Sequence, residues 1–551
     1  MNIQNLSDKQ KLELAFKNHK EQNFKMAENL YQKILKNNPN NFQAIFLLGS
    51  LFFQIKNYNE AVKMLAKALS MQPKNISVYQ NLGATLVEID EFQKAIEVLT
   101  KASKIKPDHE GILYNLGNAY KGMGEYDKAA ECYEATTKIN SKNTKALNNL
   151  GNVFKQLGKS EEAIKVFKKA LSLQPKHTNA NHNIAIVYKE IGDFKKAKEF
   201  YKKSFDLNFN LESLYALSEF DEEVLNDKTK TKITNIISDS NINKNDLSYG
   251  KFLLSKYELK NKNYRKEFDY LLEGHAHYFL SRKKLFEKGI NYWLKKLPEV
   301  KELMGADLKL KKDNELKPIF IVGVPRCGST LLEKVISSGP KNIPMGEEIG
   351  SINFILGKKI LENNSLNVNQ GNISEEIINF YKNKGLVKKE NDYTFTDKTL
   401  DNFLFIGIIR QIFPNAKIIN CKRRPLSSIM SILRNNLGAI SWAHNLKNIF
   451  EYFDLYYKRI EKFKSDFPNY IYDIQLENFV ENPESEAKKI MDYCELPWDK
   501  KCLEFYKRKD IVSRTASNIQ VRRAIFTNSS DKIDPYKDFF KDFEKKFNWF
   551  N

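Results

Sequence analysis

The sequence predicts a multidomain chain in which an N-terminal all-α solenoid precedes a C-terminal α/β domain with a P-loop-like phosphate loop and a parallel sheet. The first observation is a period of 34 residues in the first 210 residues. The second is a low content of turn residues, because 23 Gly and 15 Pro in 551 residues are about 7%, against about 12% in average proteins. The third is a strand, a glycine-rich loop and a helix in succession from residue 318. We therefore expect repeats over residues 1–210, a helical linker or cap over 211–310 and the α/β domain over 311–551.

The composition of the chain indicates its cellular compartment and the charge of its ligands. The 89 basic and 68 acidic residues give a net charge of +21, which attracts nucleic acid, anionic membrane or a nucleotide with several phosphates. A solvated lysine-rich surface accounts for this charge equally well. Five cysteines without a CxxC pair indicate a reducing compartment without a disulfide framework.

Two further features of the chain concern membranes and source. The first ten residues lack the apolar core of a signal peptide, and the longest apolar stretch, residues 44–53, is too short to span a bilayer. We expect a cytoplasmic protein without a transmembrane segment. The bias toward Lys, Asn and Ile is typical of an AT-rich bacterial genome.

Three series of residues share the 34-residue period. The members of the alanine, glycine and proline series are Ala27, Ala61, Ala95, Ala129, Ala163 and Ala197, then Gly49, Gly83, Gly117 and Gly151, then Pro39, Pro73, Pro107 and Pro175. Small residues at fixed spacing let two antiparallel helices approach closely, and a proline ends a helix. The pattern resembles the tetratricopeptide repeat, and six copies cover residues 6–209.

An asparagine series with the same period predicts a groove that binds the acceptor. Its members are Asn81, Asn115, Asn149 and Asn183, in the tripeptides NLG and NIA. An amide both donates and accepts, so a ladder of amides suits an extended peptide backbone on the concave face of a solenoid. The series resembles the asparagine ladder inside the repeat superhelix of O-GlcNAc transferase. Asparagines that merely follow the repeat consensus are the alternative, and the sequence leaves both open.

The strict period is lost over residues 211–310. Apolar residues at helical spacing predict further helices that continue or cap the solenoid. His275 and His277 form a HAH pair in this part. Because no third ligand lies nearby in the sequence, the pair indicates a helix surface rather than a metal site.

A phosphate-binding loop is predicted at the start of the α/β domain. The run PIFIV, residues 318–322, is typical of a buried parallel strand, and it is followed by GVPRCGST and a helical pattern. Backbone N–H groups and a helix N-terminus hold phosphate in such a setting. The spacing from Gly323 to Gly328 fits a Walker A frame, but Ser329 stands where an ATPase needs lysine. The cation sits inside the loop instead, at Arg326.

A second anion site is predicted about 95 residues further on. The run AKIINC, residues 416–421, reads as a strand, and the segment after it carries Arg423, Arg424 and Ser431. Two anion sites that each follow a strand suit a ligand with two separated phosphates. ATP carries its phosphates in one chain, whereas a nucleotide with a 5′-phosphosulfate and a 3′-phosphate carries them apart.

These two motifs resemble those of sulfotransferases. PIFIVGVPRCGSTLLEKVIS is similar to their 5′-phosphosulfate loop and RRPLSSIMS to their 3′-phosphate motif. The similarity extends over residues 315–540 and is strongest to the tyrosylprotein sulfotransferases and their repeat-fused bacterial relatives. It implies 3′-phosphoadenosine 5′-phosphosulfate (PAPS) as the sulfuryl donor, adenosine 3′,5′-bisphosphate (PAP) as the product and no metal.

The resemblance also implies roles for individual residues around the sulfuryl group. Arg326 would contact that group, and Glu347, in the tripeptide GEE, would be the catalytic base. Lys398, after Asp397 in the DK signature, would stabilise charge on the leaving oxygen, with Asp397 orienting it. The remaining donor-binding residues would be Cys327, Gly328, Ser329 and Thr330 of the loop, Arg423 and Ser431 of the second motif, and Ser517 and Lys532 near the C-terminus, of which Ser517 would also take part in catalysis.

The sequence departs from the family at two positions. Leu476 stands where the family usually has Tyr before Glu477, which puts one nucleotide contact in doubt. Met345 replaces a cysteine of the secretory-pathway enzymes, so their disulfide is missing. A base other than Glu347 is disfavoured, since His444 is the only histidine between residues 311 and 551 and it does not match the histidine base of the small-molecule enzymes.

The first hypothesis is therefore an enzyme that moves a sulfuryl group from PAPS to a hydroxyl, with tyrosine among the possible acceptors and the repeats recruiting an acceptor peptide, protein or glycan. The alternative is a repeat scaffold with an inactive sulfotransferase-like domain. No recognised nucleic-acid module is visible, so nucleic acid is not an expected partner.

Overall fold

The structure is a computed structural model, and it describes residues 6–304, 315–363, 373–387, 393–508, 522, 524–525 and 533–550. It divides into two compact units. One comprises Met1–Tyr188 with Lys195–Phe209, and the other comprises Lys189–Phe194 with Asn210–Asn551. Within the described residues, no helix combines the length and the apolarity needed to cross a membrane.

The first unit consists of antiparallel helix pairs. Its helices are α1 (Asp8–Lys20), α2 (Phe24–Asn37), α3 (Phe42–Gln54), α4 (Tyr58–Met71), α5 (Ile76–Glu88), α6 (Phe92–Ile105), α7 (Glu110–Gly122), α8 (Tyr126–Ile139), α9 (Thr144–Gln156), α10 (Ser160–Leu173), α11 (Thr178–Ile191) and α12 (Phe194–Asn208). The alanines of the repeat series are fully buried. A Cβ added at Gly151 would lie 2.6 Å from the ring of Phe167, so the helices of a pair are too close for any larger residue. The sequence prediction of a helical solenoid is confirmed.

The structure shows a fifth series with the same period, formed by residues that cap helices. The residue before the first helix of each repeat accepts a hydrogen bond at its side chain from the backbone three residues on, as Asn41 does at 3.0 Å and Asn143 at 2.9 Å. Asn75, His109 and His177 do the same. These caps satisfy N–H groups that a helix start otherwise leaves without partners.

The second unit begins with helices and continues into the α/β part. The helices before the sheet are α13 (Leu211–Leu217), α14 (Asp227–Ile237), α15 (Lys244–Lys260), α16 (Tyr264–Ser281), α17 (Lys283–Asn291) and the single turn α18 (Leu297–Glu299). They belong to the same compact unit as the sheet. An ion pair joins the two parts: Glu267 of α16 is 1% exposed and accepts from Arg434 Nε at 2.8 Å.

The prediction that His275 lies on a helix surface is wrong. The ring is 2% exposed, its Nε2 lies 2.9 Å from the carbonyl oxygen of Leu433, and its Nδ1 lies 2.9 Å from Nδ1 of His444. The helical pattern alone could not show this, because the covering residues come from 158 and 169 positions further along the chain. His277 is only partly buried.

The sheet has four parallel strands in the described residues, in the order β2, β1, β3, β4. Their bounds are β1 (Lys317–Gly323), β2 (Thr394–Asp397), β3 (Lys417–Lys422) and β4 (Ile471–Gln475). The predicted strands at 318–322 and 416–421 are confirmed as β1 and β3, which are neighbours with Gly323 beside Cys421. Because parallel neighbours end at the same edge, the loops that follow β1 and β3 must meet there.

The helices of the α/β part flank this sheet. They are α19 (Ser329–Ser337), α20 (Ser351–Asn363), α21 (Ile373–Asn383), α22 (Ile406–Ile412), α23 (Pro425–Arg434), α24 (Leu446–Asp466), α25 (Leu476–Glu481), α26 (Pro483–Tyr493) and α27 (Lys541–Glu544). The two helices that matter most for the site are α19, which follows β1, and α23, which follows β3.

Candidate functional site

The loop between β1 and α19 has the backbone of a phosphate cradle. Gly328 lies at φ +98° and Arg326 at φ +71°, both in the left-handed region. Gly328 directly precedes α19 and gives it no side-chain capping hydrogen bond. The N-terminus of the helix, which carries the positive end of its dipole, therefore adjoins the loop. The side chains of Cys327, Ser329 and Thr330 are buried. The thiol of Cys327 lies within the core, where Cys421 Sγ donates to its carbonyl oxygen at 3.2 Å.

The structure brings the two predicted anion motifs together. Arg326 Nε donates to Ser431 Oγ at 2.9 Å, and Arg423 Nη1 donates to the carbonyl oxygen of Arg326 at 3.1 Å. Ser431 lies on α23, which begins at Pro425 and, like α19, has no side-chain cap. The two motifs therefore meet, and they bring the guanidinium groups of Arg326 and Arg423 close together.

The electrostatics of this region favour an anion. Burial, and next to it the charge of Arg423, lower the pKa of Arg326 to about 10. The guanidinium stays charged at neutral pH, but its cation is destabilised by its surroundings. A phosphate or phosphosulfate placed between the arginines would relieve this, so these residues fit the nucleotide that the motifs suggest.

The departure at Leu476 has a structural explanation. Leu476 begins α25 directly after β4, and a Cβ added at Gly328 would lie 2.5 Å from its Cδ1. Leu476 therefore packs on the phosphate loop. The neighbouring Glu477 accepts from the backbone N–H of Arg424 at 3.1 Å and from its Nε at 3.3 Å, which gives Arg424 a part in holding β3 and β4 together at this edge.

The segment that carries Glu347 lies along the outer side of β2. Met345 forms a parallel bridge with Thr396, Gly346 N donates to Thr396 O at 2.9 Å, and Lys398 N donates to Glu347 O at 2.9 Å. Glu347 itself adopts φ +48°, which is strained for a residue with a side chain. The surrounding hydrogen bonds hold this conformation.

Glu333 takes part in this site and was missed by sequence reasoning. Its Oε1 accepts from the backbone N–H of Glu347 at 2.9 Å and from Thr396 Oγ1 at 2.8 Å. The side chain is 1% exposed, and burial raises the pKa of its carboxyl to about 7 although the charge of Lys398 opposes this. The available signal was an acidic residue inside the apolar pattern LLEKVIS, where a buried carboxylate needs a specific partner.

Lys398 lies in the same cluster. Its side chain is fully buried, and Nζ donates to Glu348 Oε1 at 2.8 Å. Burial acts to lower the pKa of this ammonium group, but the charges of Glu348 and Glu333 outweigh it and raise the pKa. Lys398 is thus a cation at any pH of interest, held next to the GEE segment.

The expectation that Asp397 orients Lys398 is corrected by its partners. Its carboxylate accepts from the hydroxyl of Tyr381, from Thr399 N at 2.9 Å and from Asn402 Nδ2 at 3.1 Å. Asp397 therefore fixes the turn that carries Lys398 rather than the ammonium group. The remaining predicted positions, Ser517 and Lys532, lie outside the described residues.

The repeat asparagines make hydrogen bonds within the first unit. Nδ2 of Asn81 donates to Ser50 Oγ at 2.9 Å, that of Asn115 to Gln80 O at 3.3 Å, that of Asn149 to Asn118 Oδ1 at 3.0 Å and that of Asn183 to Asn148 Oδ1 at 3.0 Å. Each bond joins the first helix of a repeat to the first helix of the repeat before it. The four side chains are partly exposed, so a second role in binding stays a prediction.

Known protein families match both the N-terminal and the C-terminal part of the chain. Residues 318–500 match the Sulfotransferase family. Residues 19–86, 85–124, 108–176 and 142–208 match tetratricopeptide repeat families. The match to the Sulfotransferase family contains Arg326, Glu347 and Lys398.

Individual relatives cover only parts of the chain. An uncharacterized protein of Aquifex aeolicus (strain VF5) is 29% identical over 315 residues, which are 52% of this chain and 40% of that protein. The chain thus spans about 40% of the length of this curated relative.

Solved structures are similar to about a third of the chain. A crystal structure of MamA is 34% identical, with 29% of this chain and 95% of that chain covered and a TM-score of 0.28. TTC0263, a thermophilic TPR protein in Thermus thermophilus, is 20% identical, with 33% and 98% covered and a TM-score of 0.29. Taken with the helix pairs and the loop geometry, the family matches identify a chain with tetratricopeptide repeats in its N-terminal part and a Sulfotransferase-family domain in its C-terminal part.

Proposed function

We propose that the C-terminal domain transfers a sulfuryl group from PAPS to a hydroxyl acceptor. The observation that carries this proposal is the pair of hydrogen bonds that join Arg326, in the loop before α19, to Ser431 of α23 and to Arg423, which precedes α23. Two cations at the ends of two neighbouring strands suit a nucleotide with two separated phosphates. The donor site is compatible with two classes of acceptor, a tyrosine phenol and a sugar hydroxyl.

The residues of the site divide the chemistry between them. PAPS supplies a sulfuryl group on a phosphate leaving group. Arg326 offsets the charge on the sulfuryl oxygens, and Lys398 offsets the charge that develops on the bridging oxygen as its bond to sulfur breaks. Glu347 takes the proton of the acceptor hydroxyl as the new oxygen–sulfur bond forms. Positioning and electrostatics supply the rate enhancement, as in phosphoryl transfer.

The repeats recruit the acceptor or the protein that carries it. Tetratricopeptide repeats bind peptides and proteins along a concave surface, and a tethered acceptor meets the catalytic domain at a raised effective concentration. Under this proposal, deleting the repeats raises KM for the natural acceptor and leaves the affinity for PAP unchanged.

Thermal unfolding with PAP tests the donor site. A ligand at 100 times its Kd adds about 2.7 kcal/mol to the stability of the native state, so PAP should raise the unfolding temperature clearly. Adenosine 5′-monophosphate, which lacks the 3′-phosphate, should raise it less. Arg423→Ala should lose the PAP effect, whereas Arg265→Ala, at an exposed position on α16, should retain it.

A negative result would favour the alternative function. If millimolar PAP leaves the unfolding of the wild-type protein unchanged, the domain has no donor site, and the chain is a repeat scaffold with an inactive domain.

A further inference from the structure

A cavity of about 240 Å³ lies beside the Lys398–Glu348 ion pair. Its principal lining residues are Trp293, Pro325, Glu348, Asp401, Trp442 and Tyr452. Pockets for drug-sized ligands usually hold about 300–1,000 Å³. This cavity therefore suits a single ring rather than an extended ligand.

The cavity adjoins the reacting groups. Pro325 precedes Arg326 in the phosphate loop, and Glu348 follows Glu347 in the GEE segment. The carboxylate of Glu348, which lines the cavity, accepts from Lys398 Nζ at 2.8 Å. A molecule in this cavity would thus lie beside the carboxylate that holds Lys398, the cation proposed for the leaving oxygen.

Aromatic rings form a rigid part of the wall. Trp442 and Tyr452 stack with ring centroids 3.8 Å apart and an interplanar angle of 15°, and both are at most 3% exposed. Trp293 is partly exposed and comes from the helical part before the sheet. Its neighbour Tyr292 donates to Asn353 Oδ1 of α20 at 2.5 Å, which fixes this segment. Because Trp442 and Tyr452 cover each other's faces, Trp293 is the ring that offers a flat surface for the apolar face of a ligand ring.

The polar part of the wall is acidic. Among the described residues, no other side chain donates a hydrogen bond to Asp401, which lines the cavity together with Glu348. Burial raises the pKa of Asp401 to about 7, and the charges of Glu348 and Asp397 act in the same direction. Above pH 7 Asp401 is mainly a carboxylate, which only accepts hydrogen bonds, so at such pH this wall favours a ligand with several donors and opposes a second anion.

We propose that this cavity is the acceptor site and that it takes one uncharged sugar ring. The inference rests on the proposed sulfuryl transfer and names its acceptor class. One face of such a ring consists of C–H groups and lies on the aromatic wall, while its hydroxyls donate to Asp401 and Glu348. A tyrosine side chain offers a single hydroxyl, which the reaction consumes, and would leave these carboxylates without donors. Acidic groups flanking a tyrosine would be repelled by them.

Binding of methyl glycosides, measured by calorimetry with and without saturating PAP, tests this assignment. The probes are the methyl glycosides of glucose, galactose and mannose, with methyl glucuronide and a tyrosine peptide flanked by aspartates as competitors. We expect at least one neutral glycoside to bind, and the glucuronide and the acidic peptide to bind more weakly or not at all.

Variants locate the binding. Trp293→Ala should weaken glycoside binding about tenfold, and Trp293→Phe, which keeps a ring face, should weaken it less. Asp401→Asn should weaken binding of the neutral glycoside and strengthen binding of the glucuronide. Trp498→Ala, away from the cavity lining, is the matched control and should leave binding unchanged.

The outcomes separate the two proposals. If PAP raises the unfolding temperature but no neutral glycoside binds, or if Trp293→Ala binds as the wild type does, the sugar assignment is wrong and the donor site stands. If the acidic peptide binds more tightly than every neutral glycoside, the assignment is equally wrong. If glycosides bind at Trp293 but PAP does not bind, the cavity is a sugar site and sulfuryl transfer is the part that fails.

Discussion

The backbone N–H of Glu347 donates to Oε1 of Glu333 at 2.9 Å, across 14 positions of the sequence. The same oxygen accepts from Thr396, so one buried carboxyl group joins α19, the GEE segment and β2. Glu347 lies at φ +48°, a conformation that persists only when its surroundings enforce it. Glu333 is therefore a positioning residue for the proposed base.

Replacing Glu333 by leucine should slow transfer without weakening donor binding. The change removes the acceptor of the partly buried N–H of Glu347 and of the buried hydroxyl of Thr396, which costs about 1–3 kcal/mol, and lets the GEE segment relax. We expect kcat to fall about tenfold or more, which corresponds to about 1.4 kcal/mol in the barrier, with the PAP-induced thermal shift unchanged. Glu333→Gln keeps a carbonyl oxygen at this position and should recover most of the activity. Equal rates for Glu333→Leu and the wild type would show that the hydrogen bond has no catalytic consequence.

Replacing Glu347 by glutamine tests the base directly. General base catalysis contributes about 10²–10⁴-fold, so kcat should fall by that amount while PAP still stabilises the protein. Glu348→Gln is the matched comparison, since Glu348 pairs with Lys398 and lines the cavity. It should raise KM for the acceptor more than it lowers kcat. The reverse pattern, with Glu347→Gln active and Glu348→Gln inactive, would reassign the base to Glu348.

Replacing Ser431 by alanine should weaken donor binding. Arg326 Nε donates to Ser431 Oγ at 2.9 Å, and a hydrogen bond to a charged group contributes about 1.5–3 kcal/mol. We expect Kd for PAP to rise about tenfold by calorimetry. Ser428 lies on the same helix, and its buried hydroxyl has no hydrogen-bond partner among the described residues. Ser428→Ala is thus the control, and a similar loss in both variants would mean that α23 itself had shifted.

The sequence could predict what depends on local patterns. The 34-residue period predicts the helix pairs because each repeat buries the same alanine, as Ala61 and Ala95 show. The strand and loop around Gly323 are predictable because a β-branched run before a glycine loop has few alternative structures. Leu476, by contrast, is visible as a departure from the family, but its contact with the loop at Gly328 is not.

Contacts between distant segments could not be predicted from the sequence. Arg326 and Ser431 are 105 positions apart, and only the order of strands in the sheet shows that their loops meet. Glu333 reads as an ordinary helix residue until β2 places Thr396 beside it. The burial of His275 could not be predicted for the same reason, because its contacts come from Leu433 and His444, which follow β3.

The buried pair of His275 and His444 predicts that the second unit, which contains residues 210–551, loses stability at acid pH. A carbonyl oxygen only accepts, so His275 Nε2 carries a proton for Leu433 O, and His275 Nδ1 then accepts from Nδ1–H of His444. Both rings are therefore neutral in the folded protein. Burial lowers the pKa of His275 to about 4 and, together with the charge that His275 would carry, lowers the pKa of His444 to about 2.

The sign of the effect follows from proton binding. Between pH 6.5 and 4 the unfolded chain binds more protons at these rings than the folded one, so the free energy of unfolding decreases as the pH falls. Between pH 7 and pH 5, His275 alone lowers the free energy of unfolding by about 2 kcal/mol. Glu333 and Asp401, whose pKa values are raised to about 7, act in the opposite direction. The histidine contribution must therefore be isolated by substitution.

Urea unfolding at pH 7 and pH 5, followed by tryptophan fluorescence, measures this effect. The four tryptophans all lie between residues 210 and 551, so their fluorescence reports the unfolding of the second unit. The double variant His275→Leu, His444→Phe should lose less stability between the two pH values than the wild type, by about 2 kcal/mol or more. His444→Phe keeps the ring that stacks on Phe286 at 4.9 Å. His277→Gln removes a ring on the same helix whose pKa burial also lowers but which is only partly buried, so it should change the dependence less than the double variant does. The double variant differs from the wild type only in these two titrating rings. If the two proteins lose stability equally between pH 7 and pH 5, these histidines are not the groups that take up protons on unfolding.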